Sequence, residues 1–218
     1  MTTVLLFGDS NTYGTVPMRD LSDARRHPAE VRWPGVLRAA LGAGWTVIDE
    51  GLPGRTTVHD DPIEGADRNG LRMLPALMES HRPLDAVVIM LGTNDLKMRF
   101  SLPPQDIALG LARLVEAVRA SRLAAHPDPK ILLVAPPPIR AVGCLTEMFT
   151  GGHEKSRRLA PAIAAMAAML RTDFLDAGTV AEMSPVEGIH MEVGAHRALG
   201  LAVADRLLGL FPDEGSSS

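Results

Sequence analysis

Cysteine is nearly absent from this sequence of 218 residues, in which Cys144 is the only one. A single cysteine excludes an intramolecular disulfide and any metal site built from several cysteines. The histidines and carboxylates do not cluster with the spacing of metal ligands either, so we expect no metal. No segment of the sequence indicates any other cofactor, and we expect none.

Long apolar runs are also missing. No stretch approaches the roughly 20 residues that a membrane-spanning helix needs, and the apolar run at 4–7 meets Gly8 too early to be the core of a signal peptide. The net charge is only −4, which gives no electrostatic reason to expect a nucleic acid or an anionic membrane as partner. We therefore expect a cytoplasmic protein that acts on a small molecule.

The composition is that of a folded globular protein. Apolar residues make up 46% of the chain and charged residues 22%, a balance that excludes an intrinsically disordered protein. The length fits one domain of ordinary size, and neither an internal repeat nor a linker divides it. We therefore predict a single domain over 1–211, followed by a disordered tail over 212–218.

Five short runs have the composition of β-strands. The third and fourth, AVVIML and KILLVA, are continuously apolar, which is typical of strands buried on both faces of a sheet. The predicted strands cover 3–7, 45–49, 86–91, 130–135 and 173–176.

Apolar residues at helical spacing lie between these strands. Pro161 predicts that the helical stretch at 154–171 is kinked or begins late. Strands that alternate with helices imply right-handed crossovers and a parallel sheet with helices on both faces, an α/β fold. The apolar positions are Leu71, Leu74, Leu77 and Met78 in one helix, Ile107, Leu111, Leu114, Val115 and Val118 in a second, and Leu199, Ala202, Val203 and Leu207 in a third.

Two loops, at 15–33 and 136–153, are long for a compact domain, and loops of that length are usually functional or interfacial. Both follow the carboxyl ends of predicted strands, where ligands bind in an open α/β sheet. Leu145, Met148 and Phe149 in the second loop predict an apolar surface and hence a homo-oligomer. The alternative is that these side chains cover the protein's own ligand site.

The first predicted strand ends in Gly8-Asp9-Ser10. A small residue before the turn lets the chain bend sharply, which exposes the Ser10 hydroxyl at the carboxyl edge of the sheet and places its N–H near a helix N-terminus. Such a serine can be a nucleophile, but it can also be merely the cap of the following helix, which is the more common case for this motif. This motif alone leaves both interpretations open.

Glycine and asparagine follow the next two strands. The second strand ends in EGLPGRTT, where a glycine can bring a backbone N–H close to a reacting oxygen. The third ends in GTND, and the amide of Asn94 can face a developing oxyanion, an interaction worth roughly 3–4 kcal/mol. An Asx-turn is the structural alternative for Asn94, and we expect Asp95 to brace the loop.

Near the C-terminus, Glu187 precedes His190 by three residues. A short turn can bring this carboxylate to the Nδ1 atom of the histidine and leave Nε2 free to take the proton of a serine. The other six histidines lack both the carboxylate spacing and the position at a strand end. His196 is the nearest competitor, but it falls within a helical pattern.

These segments occur in the order serine, glycine, asparagine, histidine, and that ordered set resembles the SGNH (GDSL-type) hydrolase family over nearly the whole chain. The resemblance implies a three-layer α/β/α sandwich resembling flavodoxin, with about five parallel strands, and ester hydrolysis through an acyl-enzyme. It implies that Ser10 is the nucleophile and His190 the base. It further implies an oxyanion hole formed by Ser10, Gly54 and Asn94, in which Gly54 matches better than Gly51.

The segments DEGLPGRTT, DDPIEGADRNG, IMLGTND and LVAPPP are similar to the arylesterase and acyltransferase branch of that family. This branch implies short-chain acyl esters as substrates, transfer to alcohols in some members, and large oligomers. Two positions depart from it. Glu187 stands where the family usually has aspartate, with Asp176 as the alternative carboxylate. Thr15 replaces a bulky aromatic of the transferase-like members, which widens the pocket and weakens the case for transfer.

Three functions are compatible with these observations. The leading hypothesis is a short-chain arylesterase or carboxylesterase that uses Ser10, His190 and Glu187. The second is transfer of the acyl group to alcohols. The third is a non-enzymatic module that holds an anion at its first turn, although the turn lacks the spacing of both glycine-rich phosphate loops and places Asp9 at its mouth.

Overall fold

A five-stranded parallel β-sheet forms the centre of the computed structural model, which describes residues 1–121 and 129–212. The strands are Thr2–Gly8 (β1), Trp45–Gly51 (β2), Ala86–Met90 (β3), Lys130–Ala135 (β4) and Asp173–Asp176 (β5). They stand in the order β2-β1-β3-β4-β5, and every neighbouring pair is parallel. The direction of winding changes between β1 and β3, so the crevice where sheets of this order bind ligands opens at the carboxyl ends of these two strands.

The five predicted strands are confirmed, with small differences at their ends. β4 and β5 have the predicted bounds, while β2 continues to Gly51, which is paired with Gly8 at the end of β1. Every residue of β3 is buried, and so is every residue of β4 after Lys130. This burial is the reason why both sequences are continuously apolar, because helices cover both faces of the sheet.

Seven α-helices accompany the sheet in the described ranges. The three predicted apolar stripes all lie on helices, namely Gly70–Ser80 (α3), Pro104–Ala120 (α4) and Val193–Leu210 (α7). The helices are Ser10–Tyr13 (α1), Trp33–Leu41 (α2), Gly70–Ser80 (α3), Pro104–Ala120 (α4), Gly152–Ser156 (α5), Leu159–Leu170 (α6) and Val193–Leu210 (α7).

Two hydrophobic cores lie on opposite faces of the sheet, and alternate side chains of β1 point into each. Leu5 and Phe7 pack in the core that α3, α4 and α6 cover, whereas Val4 and Leu6 pack in the core that α2 and α7 cover. This alternation is the period of two that an extended strand imposes. The result is the three-layer α/β/α sandwich that the sequence predicts.

Pro161 lies in the first turn of α6, which begins at Leu159. Proline is tolerated there because the first N–H groups of a helix have no intrahelical acceptor. The helical stretch predicted at 154–171 is neither kinked nor late: it is divided between the end of α5 and α6 by a break at Arg157 and Arg158. The predicted disordered tail, apart from Pro212, lies outside the described residues. Within the two described ranges, every helix is too short or too polar to cross a membrane.

Candidate active site

The turn after β1 places Ser10 at the carboxyl edge of the sheet. A Cβ atom on Gly8 would lie 2.0 Å from Thr12 Oγ1, so a larger residue would collide with the first turn of α1. The carboxylate of Asp9 caps α1 by accepting the N–H of Asn11 at 2.9 Å. Ser10 is the first residue inside the helix, where a backbone N–H has no intrahelical acceptor. The interpretation of Ser10 as the helix cap is therefore wrong.

Asn94 follows β3 and begins a 3₁₀ turn over Asn94–Leu96. Its side chain is buried, and Nδ2 donates to the carbonyl oxygen of Arg55 at 3.1 Å and to a carboxylate oxygen of Asp9 at 3.4 Å. These two acceptors come from the segments after β2 and β1. The amide of Asn94 is thus held at the point where three loops meet, beside Ser10.

Asp95 ties the loop after β3 to the loop after β2. Its carboxylate accepts the backbone N–H of Thr57 at 3.0 Å and the Thr57 hydroxyl at 2.5 Å. Complete burial raises the pKa of the Asp95 carboxyl, while the two bonds from Thr57 act in the opposite direction. The expectation that Asp95 braces the loop is confirmed.

Gly54 lines the same cavity as Ser10, whereas Gly51 lies against the backbone of α1. Gly54 has a φ of +79°, a conformation that glycine adopts without strain. Its N–H donates to no acceptor in the part of the chain that the structure describes. A Cβ atom on Gly51 would lie 2.1 Å from the backbone nitrogen of Tyr13, so this glycine serves the packing of α1 on β2.

Glu187 and His190 form a buried pair at the other side of the cavity. Glu187 Oε2 lies 3.1 Å from His190 Nδ1, and Glu187 Oε1 accepts the backbone N–H of His190 at 2.7 Å. Glu187 is fully buried, and His190 is 5% exposed and lines the cavity. The carboxylate therefore holds Nδ1 in its protonated form, which leaves Nε2 as the proton acceptor.

Asn11 joins the segment of His190 to the helix that carries Ser10. Its Nδ2 donates to the carbonyl oxygen of Ile189 at 2.9 Å, and its Oδ1 accepts the N–H of Met191 at 3.1 Å. The two residues that flank His190 are thus fixed to the residue next to Ser10. The sequence analysis missed this asparagine, although its position directly after Ser10 is a signal that could have found it.

The four segments meet in one cavity of about 240 Å³, which Ser10, Gly54, Asn94 and His190 all line. Most of the remaining wall is apolar, and the long loops at 15–33 and 136–153 contribute much of it. These other lining residues are Thr15, Met18, Leu21, Pro53, Glu64, Lys97, Leu145, Met148, Phe149 and Ile189.

The prediction that the loop at 136–153 presents an apolar surface is wrong for two of its three apolar residues. Leu145 and Phe149 are buried and belong to the hydrophobic core that α3, α4 and α6 cover, while Met148 is partly buried. All three line the cavity. They cover the candidate site of their own chain, which was the alternative interpretation.

A charged pair in the cavity wall was not predicted from the sequence. Lys97 is 3% exposed, and its Nζ lies 2.5 Å from Glu64 Oε1 and 3.5 Å from Asp61 Oδ2. Arg99 donates to the same aspartate at 2.8 Å. The signal available in the sequence was the position of Lys97, three residues after Asn94.

Two buried charges lie directly under the site. Burial raises the pKa of Asp9 to about 6, against the opposing effects of the Asn11 N–H, His190 and Arg55. Burial lowers the pKa of Arg55 to about 10. Arg55 remains a cation at neutral pH, donates to the carbonyl of Gly8 at 2.8 Å and stacks over the Phe7 ring at 4.1 Å. It thereby fixes the end of β1.

His196 and Asp176, the alternatives to His190 and Glu187, both make structural contacts away from the cavity wall. His196 is buried in α7, where its Nδ1 accepts the backbone N–H of Trp33 at 3.3 Å. Burial, with a contribution from His27, lowers the pKa of His196 to about 3, so its ring is neutral. Asp176 accepts the N–H of Gly178 at 2.8 Å and caps a 3₁₀ turn. Residues 1–121 and 129–212 hold no group of three or more histidine, cysteine or acidic side chains that could bind a metal ion.

Comparison with known proteins gives a consistent set of relatives. A family model described as the GDSL-like Lipase/Acylhydrolase family matches residues 6–198. A search of the curated proteins finds no match to this chain.

Solved structures of similar proteins agree with this family. An inhibitor-bound aryl esterase of M. smegmatis has 41% sequence identity and a TM-score of 0.92, with 96% of this chain and 100% of that chain covered. Est24, a carbohydrate acetylesterase from Sinorhizobium meliloti, has 41% identity and a TM-score of 0.93, with 97% of this chain and 100% of that chain covered.

Proposed function

Because the chain belongs to the GDSL-like lipase/acylhydrolase family, we propose that it is a serine esterase in which Ser10 attacks short-chain acyl esters and His190 acts as the base. Family membership confirms the predicted resemblance and sets aside the non-enzymatic module. The observation that carries the proposal is the convergence of Ser10, Gly54, Asn94 and His190 on one cavity from four separate segments.

The reaction proceeds in two halves. The Ser10 hydroxyl attacks the ester carbonyl and gives its proton to His190 Nε2, and the tetrahedral intermediate then expels the alcohol, which takes that proton. Water attacks the resulting acyl-enzyme, again with His190 as base. The carboxylic acid leaves, and the proton returns to the Ser10 oxygen. Glu187 stabilises the imidazolium that forms in each half.

The oxyanion is stabilised by three donors in this proposal. The Ser10 N–H is unpaired within its helix, and the Gly54 N–H has no acceptor among the described residues. The Asn94 amide is oriented by its bond to the Arg55 carbonyl and offers the oxyanion its other N–H, which otherwise makes only a 3.4 Å contact with Asp9 within the described ranges. Donors that are fixed before the reaction need no reorganisation when charge develops on the carbonyl oxygen. This is the feature that distinguishes the arrangement from an ordinary turn with a capped helix.

The substrate class follows from the size and polarity of the cavity. A volume of about 240 Å³, with six methionine, leucine, phenylalanine and isoleucine side chains among its fourteen lining residues, fits a short acyl group better than a long chain. The name of one similar protein, a carbohydrate acetylesterase, supports acetyl esters, and that of another, an aryl esterase, supports ester hydrolysis in general. A cytoplasmic location and a homo-oligomer stay predictions from the sequence.

The proposal is tested with purified protein and p-nitrophenyl acetate. We expect Ser10→Ala and His190→Ala each to lower kcat by at least about 1,000-fold, because the members of such a unit act together. Ser22→Ala is the matched control, since Ser22 is exposed in the loop at 15–33 and, among the described residues, its side chain bonds only to Asp20. Wild-type hydrolysis by a folded Ser10→Ala protein contradicts the proposal.

A further inference from the structure

Glu64 is the one carboxylate among the residues that line the cavity, and the mechanism above does not use it. It lies in the segment between β2 and α3. One of its oxygens, Oε1, is held by the buried Lys97 at 2.5 Å. The second oxygen, Oε2, takes no part in this ion pair.

The segment that carries Glu64 is fixed in place. The buried carboxylate of Asp61 accepts the backbone N–H groups of Ile63 at 2.9 Å and Glu64 at 3.0 Å, and it is itself paired with Arg99. The carbonyl oxygen of Asp61 also accepts the N–H of Gly65 at 2.9 Å. Glu64 is therefore a placed side chain with a defined direction, and its position does not depend on a bound molecule.

The second oxygen lies against Gly54, next to the side chain of Arg68. A Cβ atom on Gly54 would lie 2.2 Å from Glu64 Oε2, so this oxygen fills the space that the missing side chain leaves. Within the described part of the chain, Oε2 accepts no hydrogen bond, and the Glu64 side chain is 31% exposed. A carboxylate oxygen in the cavity wall that has no protein donor is a strong acceptor for a substrate donor.

The negative charge beside the oxyanion hole is balanced by its neighbours. A bare carboxylate near a developing oxyanion would destabilise it by Coulomb repulsion. Lys97 is bound directly to Glu64, and Arg99 lies 3.7 Å from the same oxygen. The pair thus presents an acceptor to the substrate while the local charge remains close to neutral.

The geometry points to Glu64 as a specificity-determining residue that accepts a hydrogen bond from a hydroxyl group of the substrate alcohol. The donor belongs to the alcohol, because a short acyl group carries none. Its place is next to the ester oxygen, since Glu64 lies beside Gly54, which binds the carbonyl oxygen in the proposed function on which this inference rests. The preferred substrates are accordingly monoacyl esters of vicinal diols and other polyols.

Two isosteric esters test this assignment. In 2-hydroxyethyl acetate a hydroxyl replaces the terminal methyl group of n-propyl acetate, and acid release from both is followed by titration at constant pH. We expect the wild type to have a kcat/KM about tenfold higher for the hydroxy ester, the effect of one hydrogen bond to a charged acceptor. This measurement needs no variant and holds even if substitutions at Glu64 impair folding.

Variants then locate the source of the preference. Glu64→Met removes the acceptor at similar length and is expected to abolish the tenfold ratio, while Glu64→Gln leaves a weaker acceptor and an intermediate ratio. Glu116→Met, on the exposed face of α4 where Glu116 pairs with Arg113, is the control and leaves the ratio unchanged. Thermal melting identifies the variants that are folded.

The outcomes separate this inference from the proposed function. Equal kcat/KM values for the two esters in the wild type, or an unchanged preference in folded Glu64→Met, overturn the role of Glu64 while ester hydrolysis stands. If the wild type hydrolyses neither these esters nor p-nitrophenyl acetate, the proposed function fails and the inference fails with it.

Discussion

Both oxygens of the Glu187 carboxylate hold His190: Oε2 lies 3.1 Å from the ring Nδ1, and Oε1 accepts the backbone N–H at 2.7 Å. A third contact, from the N–H of Ile189 to Oε1 at 3.3 Å, closes the turn. The glutamate side chain therefore reaches the histidine, although the family resemblance implies the shorter aspartate at this position. The additional methylene group of glutamate is accommodated by a turn in which Gly188 has a φ of +80°.

Neutralising this carboxylate is expected to impair catalysis strongly. Glu187→Gln presents an amide to Nδ1 and favours the wrong tautomer, so we expect kcat to fall by about 10³–10⁴-fold. Glu187→Asp keeps the charge and is expected to retain activity within about tenfold of the wild type. The measurement is kcat for p-nitrophenyl acetate, with the exposed Glu154→Gln as matched control. Full activity of Glu187→Gln would contradict this role and would show that Ser10 and His190 act as a dyad without Glu187.

Removing the Asn94 amide tests the oxyanion hole. Asn94→Ala is expected to lower kcat by about 10²–10³-fold with little change in KM, because the lost donor acts mainly on the transition state. The variant also loses the bond to the Arg55 carbonyl, so its melting temperature is measured in parallel. A rise in KM at constant kcat would assign Asn94 to substrate binding instead.

The buried carboxyl of Asp9 predicts a pH dependence of stability. Its pKa is about 6 in the folded protein and 3.8 in the unfolded chain. The folded state thus holds the proton more tightly, and the stability that the protonated form provides is lost as the pH rises from about 4 to 6. Two pKa units correspond to at most about 3 kcal/mol.

Asp9→Asn removes this titration and supplies the measurement. The free energy of unfolding of the variant, relative to that of the wild type, is expected to increase between about pH 4 and pH 6 and to level off above that range. Denaturant unfolding at a series of pH values gives the difference. A difference that stays constant across this range shows that Asp9 is not the titrating group.

The fold could be predicted in detail because two simple signals dominate it. Continuous apolar runs marked β3 and β4, and the period of the apolar residues marked α4, whose stripe from Ile107 to Val118 is buried. Ser10 and Asn94, which follow β1 and β3, could be identified for a related reason. The carboxyl ends of parallel strands meet at one edge of the sheet, so Ser10 and Asn94 had to lie near each other.

The walls of the site could not be predicted in the same way. Leu145 and Phe149 lie in a loop, and a loop sequence does not reveal whether an apolar side chain points outward or into a cavity. Glu64 and Lys97 are far apart in sequence and are brought together by the turn at Asp61, which depends on tertiary contacts. Charged residues of this kind are normally expected in solvent.

The balance between hydrolysis and acyl transfer is a separate prediction. Thr15 lines the cavity, at the position where the resemblance implies a bulky aromatic residue in transferase-like proteins, and its smaller side chain leaves more room for water. We expect mainly acid when the protein turns over an acetate ester in water with a modest concentration of alcohol. Thr15→Trp narrows the site and is expected to raise the share of ester product. Predominant ester formation by the wild type contradicts the expectation.

Covalent trapping at Ser10 tests the central claim most directly. The protein is treated with a serine-directed organophosphate, such as diethyl p-nitrophenyl phosphate, and the modified peptide is identified by mass spectrometry. The Oγ atom displaces p-nitrophenolate, so the account predicts one diethylphosphoryl group on Ser10 together with loss of esterase activity. Loss of activity with the adduct on another residue, or an active esterase whose Ser10 is fully modified, contradicts it.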